Sequence, residues 1–348
     1  MVQRRRADAA SRRVAAVNAA VTGGTGFLGR ALLRGLAPQA DEIRALVRRA
    51  EDEAALGALG ALPIRGDLTL PGGCDELVRT NDVVFHAAAR VDMTGPWSEF
   101  SRTTVTGTRR LLEAALPCRP SRFVYVSSAG VYLGARGHGA VSADRTPPNP
   151  LPYNLYARAK LEAEDLVRGE CERAGCPWTI VRLGFLYGPG NRALLRRLVP
   201  LLERGRLFII GSGRNRIATL YVDDAAHAVL QAGTHPAAGN KIYDVASDEH
   251  VTQRAYLEAS ADALGLPPPR RRVGRRVAYA AAGLAELWAW LRGGEPPFTR
   301  AMVVLMAADQ VLDTSRIRDE LGWRPEVAFE EGMRRTAAWH RQSRAERQ

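Results

Sequence analysis

The chain has 348 residues, 46% hydrophobic and 25% charged, enough for one large domain or a domain with a smaller lobe, without a disulfide or a structural metal. A net charge of +12 raises a nucleic-acid partner, but the arginines are dispersed except at Arg4–Arg6 and Arg270–Arg276, and only Lys160 and Lys241 are lysines. That pattern reads as an arginine-rich solvated surface with no nucleic-acid partner.

In chain order, Met1–Arg13 is basic but has no apolar stretch, so residues 1–16 read as a disordered basic tail rather than a secretory signal. Val17–Thr22 reads as a strand and Phe27–Leu36 as a helix with Leu28, Leu32 and Leu36 on one face. Strands are expected at Ile43–Val47, Asp82–Ala87, Arg122–Ser127 and Trp178–Arg182, and helices at Val105–Ala115 and Tyr153–Gly169. Strands alternating with helices indicate βαβ units, hence an α/β fold with a doubly wound parallel sheet over residues 17–188.

After Gly188 the pattern loosens, and residues 189–340 read mainly as a smaller C-terminal lobe. Leu220–Val222 and Lys241–Val245 look like strands returning to the sheet or to that lobe. An apolar helix is expected at Val277–Leu291, ended by the Gly293–Pro297 turn. It is too short to span a bilayer and is interrupted by Glu286. The four cysteines form no CxxC pair and have no histidine set beside them. No metal site is therefore expected, and reduced thiols fit a cytoplasmic protein.

Between the first strand and first helix lies Val21-Thr-Gly-Gly-Thr-Gly-Phe-Leu-Gly29. Glycines spaced this way permit a tight turn, a close backbone approach to a pyrophosphate and close packing of helix on strand. The helix N-terminus then offers free N–H groups to phosphate. Gly23, Thr25, Gly26, Phe27, Leu28 and Gly29 are accordingly expected against a dinucleotide. The second strand ends in Arg48-Arg49 rather than in a carboxylate for a ribose hydroxyl. Arginine suits a 2′-phosphate, so NADP(H) is expected ahead of NAD(H), with Arg48 as its main contact.

Tyr156 and Lys160 lie four apart on a predicted helix, which puts them on one face at about 5–6 Å between Cβ atoms. An ammonium beside a phenol stabilises the phenolate, and the pair can exchange a proton with a carbonyl or alcohol oxygen. The strand through Val126 ends in Ser127-Ser128, hydroxyls placed where open parallel sheets meet their ligands.

Together with Gly66-Asp-Leu68, His86-Ala-Ala-Ala89, Arg182-Leu-Gly-Phe-Leu-Tyr-Gly-Pro189, Tyr221-Val-Asp-Asp224 and Leu321-Gly-Trp-Arg-Pro325, these motifs resemble the extended short-chain dehydrogenase/reductase family. That family includes the epimerase/dehydratase and 3β-hydroxysteroid dehydrogenase-like groups. The resemblance covers about residues 17–340 and implies a Rossmann-type sheet with a C-terminal substrate lobe. It implies that Gly23, Gly26 and Gly29 hold the pyrophosphate, that Asp67 and Leu68 flank the adenine, and that Ala87, Ala88 and Ala89 line the nicotinamide ribose. It further implies Ser128, rather than Ser127, as the catalytic serine, Tyr156 as the acid/base, Lys160 on the ribose and Leu183 near the nicotinamide. One departure is Thr104, where the family often has asparagine.

The apolar segments Val277–Leu291 and Phe298–Ala307 resemble the hydroxysteroid dehydrogenase-like group and suit a lipophilic ketone or alcohol: a sterol, a β-keto acyl compound or a polyketide. A sugar-nucleotide epimerase or dehydratase is the alternative, and a non-catalytic NADP(H) sensor an alternative of another class. A monomer or homodimer is expected, and peripheral membrane contact through Val277–Leu291 is less favoured than packing of the lobe.

Overall fold

Apolar runs between glycines and helices dictate buried strands, and seven of them form one all-parallel sheet. The computed structural model describes residues 17–80, 82–92, 94–134 and 139–345, so the tail of residues 1–16 lies outside the described part. The strands of the chain are β1 (Val17–Thr22), β2 (Ala40–Val47), β3 (Leu62–Arg65), β4 (Val83–His86), β5 (Arg122–Ser128), β6 (Trp178–Leu183), β7 (Phe185–Tyr187), β8 (Ile209–Ile210), β9 (Thr219–Tyr221), β10 (Lys241–Val245) and β11 (Arg272–Val273). The helices are α1 (Phe27–Leu36), α2 (Glu53–Gly57), α3 (Trp97–Phe100), α4 (Gly107–Ala115), α5 (Leu155–Ala174), α6 (Arg192–Glu203), α7 (Val222–Thr234), α8 (Gln253–Ala263), α9 (Arg275–Arg292), α10 (Arg300–Ala307), α11 (Ser315–Leu321) and α12 (Phe329–Ala345).

The sheet order is β10-β6-β5-β4-β1-β2-β3. The chain therefore reverses direction between β1 and β4, which opens a crevice at their carboxyl ends. Helices cover both faces. One apolar cluster joins α1 and α7 to the sheet, and another joins α4 and α5 to the opposite face. Burial on both sides explains why the strands read as apolar runs rather than as alternation. The edge strand β3 differs: it is Leu-Pro-Ile-Arg and half-exposed, and Pro63 is tolerated because an edge strand needs fewer ladder bonds.

Most predicted boundaries agree within three residues, and the largest shift is in α5. It begins after Asn154, whose side chain accepts from the Ala157 N–H at 3.1 Å, and it runs on to Gly175, which takes the left-handed conformation that ends it. Lys241–Val245 joins the main sheet beside β6. The strand expected at Leu220–Val222 is Thr219–Tyr221, and it pairs with β7 away from the main sheet. A third cluster, including Tyr187, Leu198, Tyr256, Phe329 and Met333, forms the core of the lobe.

Two sequence motifs prove to be partners in this packing. The Trp323 indole is fully buried and donates to the Asp224 carbonyl at 3.2 Å, while the Asp224 carboxylate accepts from the Glu326 and Val327 N–H groups at 3.2 Å each. The YVDD and LGWRP segments thus stitch the C-terminal region to the start of α7. Trp323→Ala is expected to lower unfolding stability by about 3–5 kcal/mol, read as a drop in the urea midpoint at unchanged slope.

Candidate active site

The crevice at β1 and β4 is framed by two loops in close contact. Gly23 has φ of 76°, and a Cβ there would sit 2.7 Å from the Ala88 nitrogen. A Cβ on Gly29 would sit 2.0 Å from the Gly23 carbonyl oxygen, so α1 packs where only glycine fits. No side chain caps the N-terminus of α1. The loop fits a dinucleotide pyrophosphate, because its glycines let the backbone pack this closely while no side chain takes up the N–H groups at the start of α1. Leu28 turns its side chain into the core, so only its backbone faces the loop.

A buried relay fixes the Ala87–Ala89 loop. Ala88 N–H lies 3.3 Å from Thr22 Oγ1, which lies 2.6 Å from His86 Nδ1; His86 Nε2 lies 2.8 Å from Thr108 Oγ1. The Thr108 hydroxyl donates to the Thr104 carbonyl at 2.5 Å, so it accepts from Nε2–H, and Nδ1 accepts from Thr22. Burial, helped by the positive charge of Lys160, pushes His86 down to about 3, so the imidazole is neutral. Thr104 lies in a π-helical turn, Ser101–Thr106, leading into α4, and its own hydroxyl accepts from Arg90 N–H at 3.2 Å.

Asp67 accepts from Thr69 N–H at 2.8 Å and so folds its own turn, while Leu68 is buried. Leu183, last in β6, packs into the α1/α7 core. Ser128 ends β5, where its Oγ accepts from Gly130 N–H at 3.1 Å and hydrogen-bonds the Tyr156 phenol. The neighbouring Ser127 points the other way, and its hydroxyl is spent on Glu164. Lys160 is buried, donates to the Val126 carbonyl at 2.7 Å and lies 4.8 Å from the centre of the Tyr125 ring.

The electrostatics differ from the sequence expectation. Burial raises the Tyr156 phenol above its usual value, and only the Ser128 hydrogen bond opposes it. The Lys160 ammonium faces Val126, and burial pushes it down to about 7, opposed by the charge of Glu164. Burial thus moves the phenol further from ionisation and brings the lysine's own titration close to pH 7.

Sequence reasoning misses the group that holds this helix in place. Glu164, one turn beyond Lys160, pairs with Arg182 at 2.6 Å, both buried. Arg182 continues to the Tyr132 hydroxyl at 2.5 Å, and that hydroxyl donates to Asp244 at 3.3 Å. The available signal is the spacing of Tyr156, Lys160 and Glu164 along one helix face, and an arginine inside the apolar strand Trp178–Leu183.

A cavity of about 180 Å³ opens on Tyr156. Its walls include Phe100, Tyr153 and Asn154, and Glu286, Pro296, Thr299 and Ala301 of the α9–α10 hairpin. Arg300 latches the hairpin by donating to Glu286 at 2.6 Å, and it lies 5.1 Å from the Tyr153 ring.

A Rossmann sheet with a dinucleotide cradle and a Ser/Tyr/Lys set defines an NAD(P)-dependent enzyme of oxidoreductase/epimerase type, acting on a small organic substrate by hydride transfer. The chain belongs to the NAD dependent epimerase/dehydratase family, whose sequence profile matches residues 19–246. It is similar to a 2-alkyl-3-oxoalkanoate reductase of Stenotrophomonas maltophilia (strain K279a), 31% identical over 91% of this chain and 98% of that one. It is also similar to a 4-hydroxy-2-methyl-3-oxo-4-farnesyl-3,4-dihydroquinoline-1-oxide ketoreductase of Stigmatella aurantiaca, 32% identical over 90% and 93%. Among solved structures, MoeE5 in complex with UDP-glucose and NAD is 25% identical, with a TM-score of 0.71 over 94% of this chain and 99% of that one. The DesIV double mutant (dTDP-glucose 4,6-dehydratase) from Streptomyces venezuelae, with NAD and DAU bound, is 25% identical, with a TM-score of 0.73 over 94% and 98%.

These structures correct the cofactor expectation: both hold NAD, which overturns NADP(H) in favour of NAD(H). The local charge agrees. Arg48 is exposed, Arg49 is spent on Asp52 at 2.9 Å and Glu51 at 3.4 Å, and those carboxylates repel a 2′-phosphate.

The depressed Lys160 value has a stability consequence with a definite sign. Below pH 7 the amine is charged in both folded and unfolded chains, and the burial cost is present in full. From pH 7 to about 10.4 the unfolded chain binds the extra proton, so folded stability gains up to about 1.4 kcal/mol per pH unit from this group. Urea unfolding of the wild type and Lys160→Met between pH 7 and 9 is expected to show the difference moving in the wild type's favour. Parallel curves would remove the buried-amine assignment.

Proposed function

We propose that the chain is an NAD(H)-dependent oxidoreductase interconverting a ketone and a secondary alcohol on an extended apolar substrate of the β-keto acyl type. The observation that carries this reading is the cavity against Tyr156: among the described residues no basic side chain lines it, and two carboxylates, Asp92 and Glu286, do. Those carboxylates are already paired with Arg90 and Arg300, so a nucleotide sugar's diphosphate would have to compete for cations that are engaged, whereas a neutral ketone needs none. The names of the two curated relatives, an oxoalkanoate reductase and a ketoreductase, support the same class. The nucleotide-sugar reading is kept as the second one because MoeE5 and DesIV, matched over nearly the whole chain, were solved with NAD beside UDP-glucose and DAU; it is the better represented of the two among the solved structures.

In this reading a reduced nicotinamide in the cradle supplies hydride to the carbonyl carbon. Tyr156, held neutral, gives its proton to the carbonyl oxygen as negative charge develops there. Ser128 hydrogen-bonds the same oxygen and orients it. Lys160, one turn further along the same helix and lowered to about 7, is anchored on the Val126 carbonyl and can gain or lose a proton near neutral pH. The α9–α10 hairpin supplies one wall of the cavity.

Tyr156→Phe is expected to lower NADH-dependent ketone reduction by about 10²–10⁴-fold while leaving NADH affinity within about twofold. Purified protein offered 2-alkyl-3-oxoacyl substrates and UDP-glucose with NADH is expected to consume cofactor with the first only. Epimerisation of the nucleotide sugar without net cofactor consumption would replace this reading with the second.

A further inference from the structure

Surface helices of globular proteins carry charge along their outer face, and α9 between its terminal arginines does not. Its inner stripe, Ala278 and Ala282, packs against Val303 of α10. Outside it, Val277 (63% exposed), Leu284 (68%), Leu287 (53%), Trp288 (54%), Trp290 (77%) and Leu291 (68%) stand in solvent. Between Val277 and Leu291 no exposed side chain is charged, and the one carboxylate, Glu286, is turned to the cavity and paired with Arg300.

Cations bracket this face. The exposed arginines of Arg270–Arg276 precede it, and Arg292 closes it with its guanidinium 4.4 Å from the Trp288 ring centre. An apolar helix face rich in tryptophan and leucine and rimmed by arginine is the composition of a helix lying in a membrane interface. No helix among the described residues is long and apolar enough to cross a membrane, so α9, about 27 Å long, would lie along the surface.

Charge decides between occupants. A second copy of this chain brings the same arginines: antiparallel pairing sets Arg275 and Arg276 against the other copy's Arg292, and parallel pairing stacks the clusters. Both oppose like charges in a chain of net charge +12. An anionic lipid surface answers the apolar face and the arginine rim together.

We propose that α9 docks this protein on an anionic lipid surface, with the arginines of residues 270–276 and Arg292 at the headgroups. Glu286 of the same helix lines the cavity on Tyr156, so docking sets that cavity close to the lipid surface. Docking of this kind does not depend on which substrate the cavity takes.

The test is co-sedimentation of the full chain with sucrose-loaded vesicles of phosphatidylcholine alone or mixed equally with phosphatidylglycerol, at low and high salt. Tryptophan emission is followed in parallel. The expected result is partition onto anionic vesicles at least tenfold above neutral ones, a blue shift on binding, and loss of binding at high salt. The pair Leu284→Glu with Trp288→Glu is expected to lose at least tenfold in partition, and so is the pair Arg275→Glu with Arg276→Glu. Thermal melts establish that both variants fold, and if one does not, the other carries the test. No binding to anionic vesicles, equal binding to neutral ones, or a folded variant that binds like the wild type overturns the proposal. So does a solution dimer that Leu284→Glu with Trp288→Glu converts to monomer, which would make a second copy the occupant.

Discussion

A carboxylate sealed from water must be answered from within, and in this protein Glu164 is the carboxylate and Arg182 the answer. The pair ties the middle of α5 to the carboxyl end of β6, and Ser127 adds a bond from β5 to the same carboxylate. One turn earlier, Lys160 donates to the β5 backbone at Val126. One turn earlier again, Tyr156 stands at the cavity. Three successive turns of one helix thus carry Glu164, Lys160 and Tyr156, and the contacts of the first two hold the third at the cavity. The chain of polar contacts through Tyr132 to Asp244 extends the anchorage to β10, so a strand from late in the sequence takes part in holding the catalytic helix.

The site is electrically quiet. His86 is a neutral imidazole whose two nitrogens are both engaged, so it orders the Ala87–Ala89 loop and carries no charge. Asp244 in β10, which burial raises to about 7, is only partly charged near neutral pH. The phenol, protonated near neutral pH in any case, is raised further by burial. A neutral acid at the cavity suits protonation of a developing alkoxide, which is the reductive direction. The α9–α10 hairpin lines that cavity with one face and leaves an apolar face outside.

Legibility in the sequence follows burial. β1 and α1 are readable to the residue because local pattern and tertiary role agree: a doubly buried strand, three glycines, and an amphipathic helix with no conflicting signal. The edge strand with Pro63 is not readable, since its propensity argues against a strand and only its position on the sheet makes it one. Choosing Ser128 over Ser127 needs the family resemblance, because adjacent hydroxyls at a strand end look alike until the pleat sends one to Glu164 and the other to Tyr156. Glu164 and Arg182 escape because each interrupts an apolar pattern, and eighteen residues separate partners that only the fold brings together. The cofactor expectation fails at a shorter range. Arg48-Arg49 alone suggests a 2′-phosphate site, but the Glu51-Asp52-Glu53 run follows it, and two of those carboxylates fold back onto Arg49. Neighbouring charge, rather than the presence of arginine, sets which ribose a strand end accepts.

The central claim is a net hydride transfer to a ketone carbon beside Tyr156. The most direct measurement is product analysis by mass spectrometry and NMR after turnover of a 2-alkyl-3-oxoacyl substrate with NADH deuterated at the transferring position. The account predicts one deuterium on the new carbinol carbon, appearing with stoichiometric NAD formation and abolished in Tyr156→Phe. Unlabelled alcohol, or no consumption of NADH while a nucleotide sugar is converted, would contradict it.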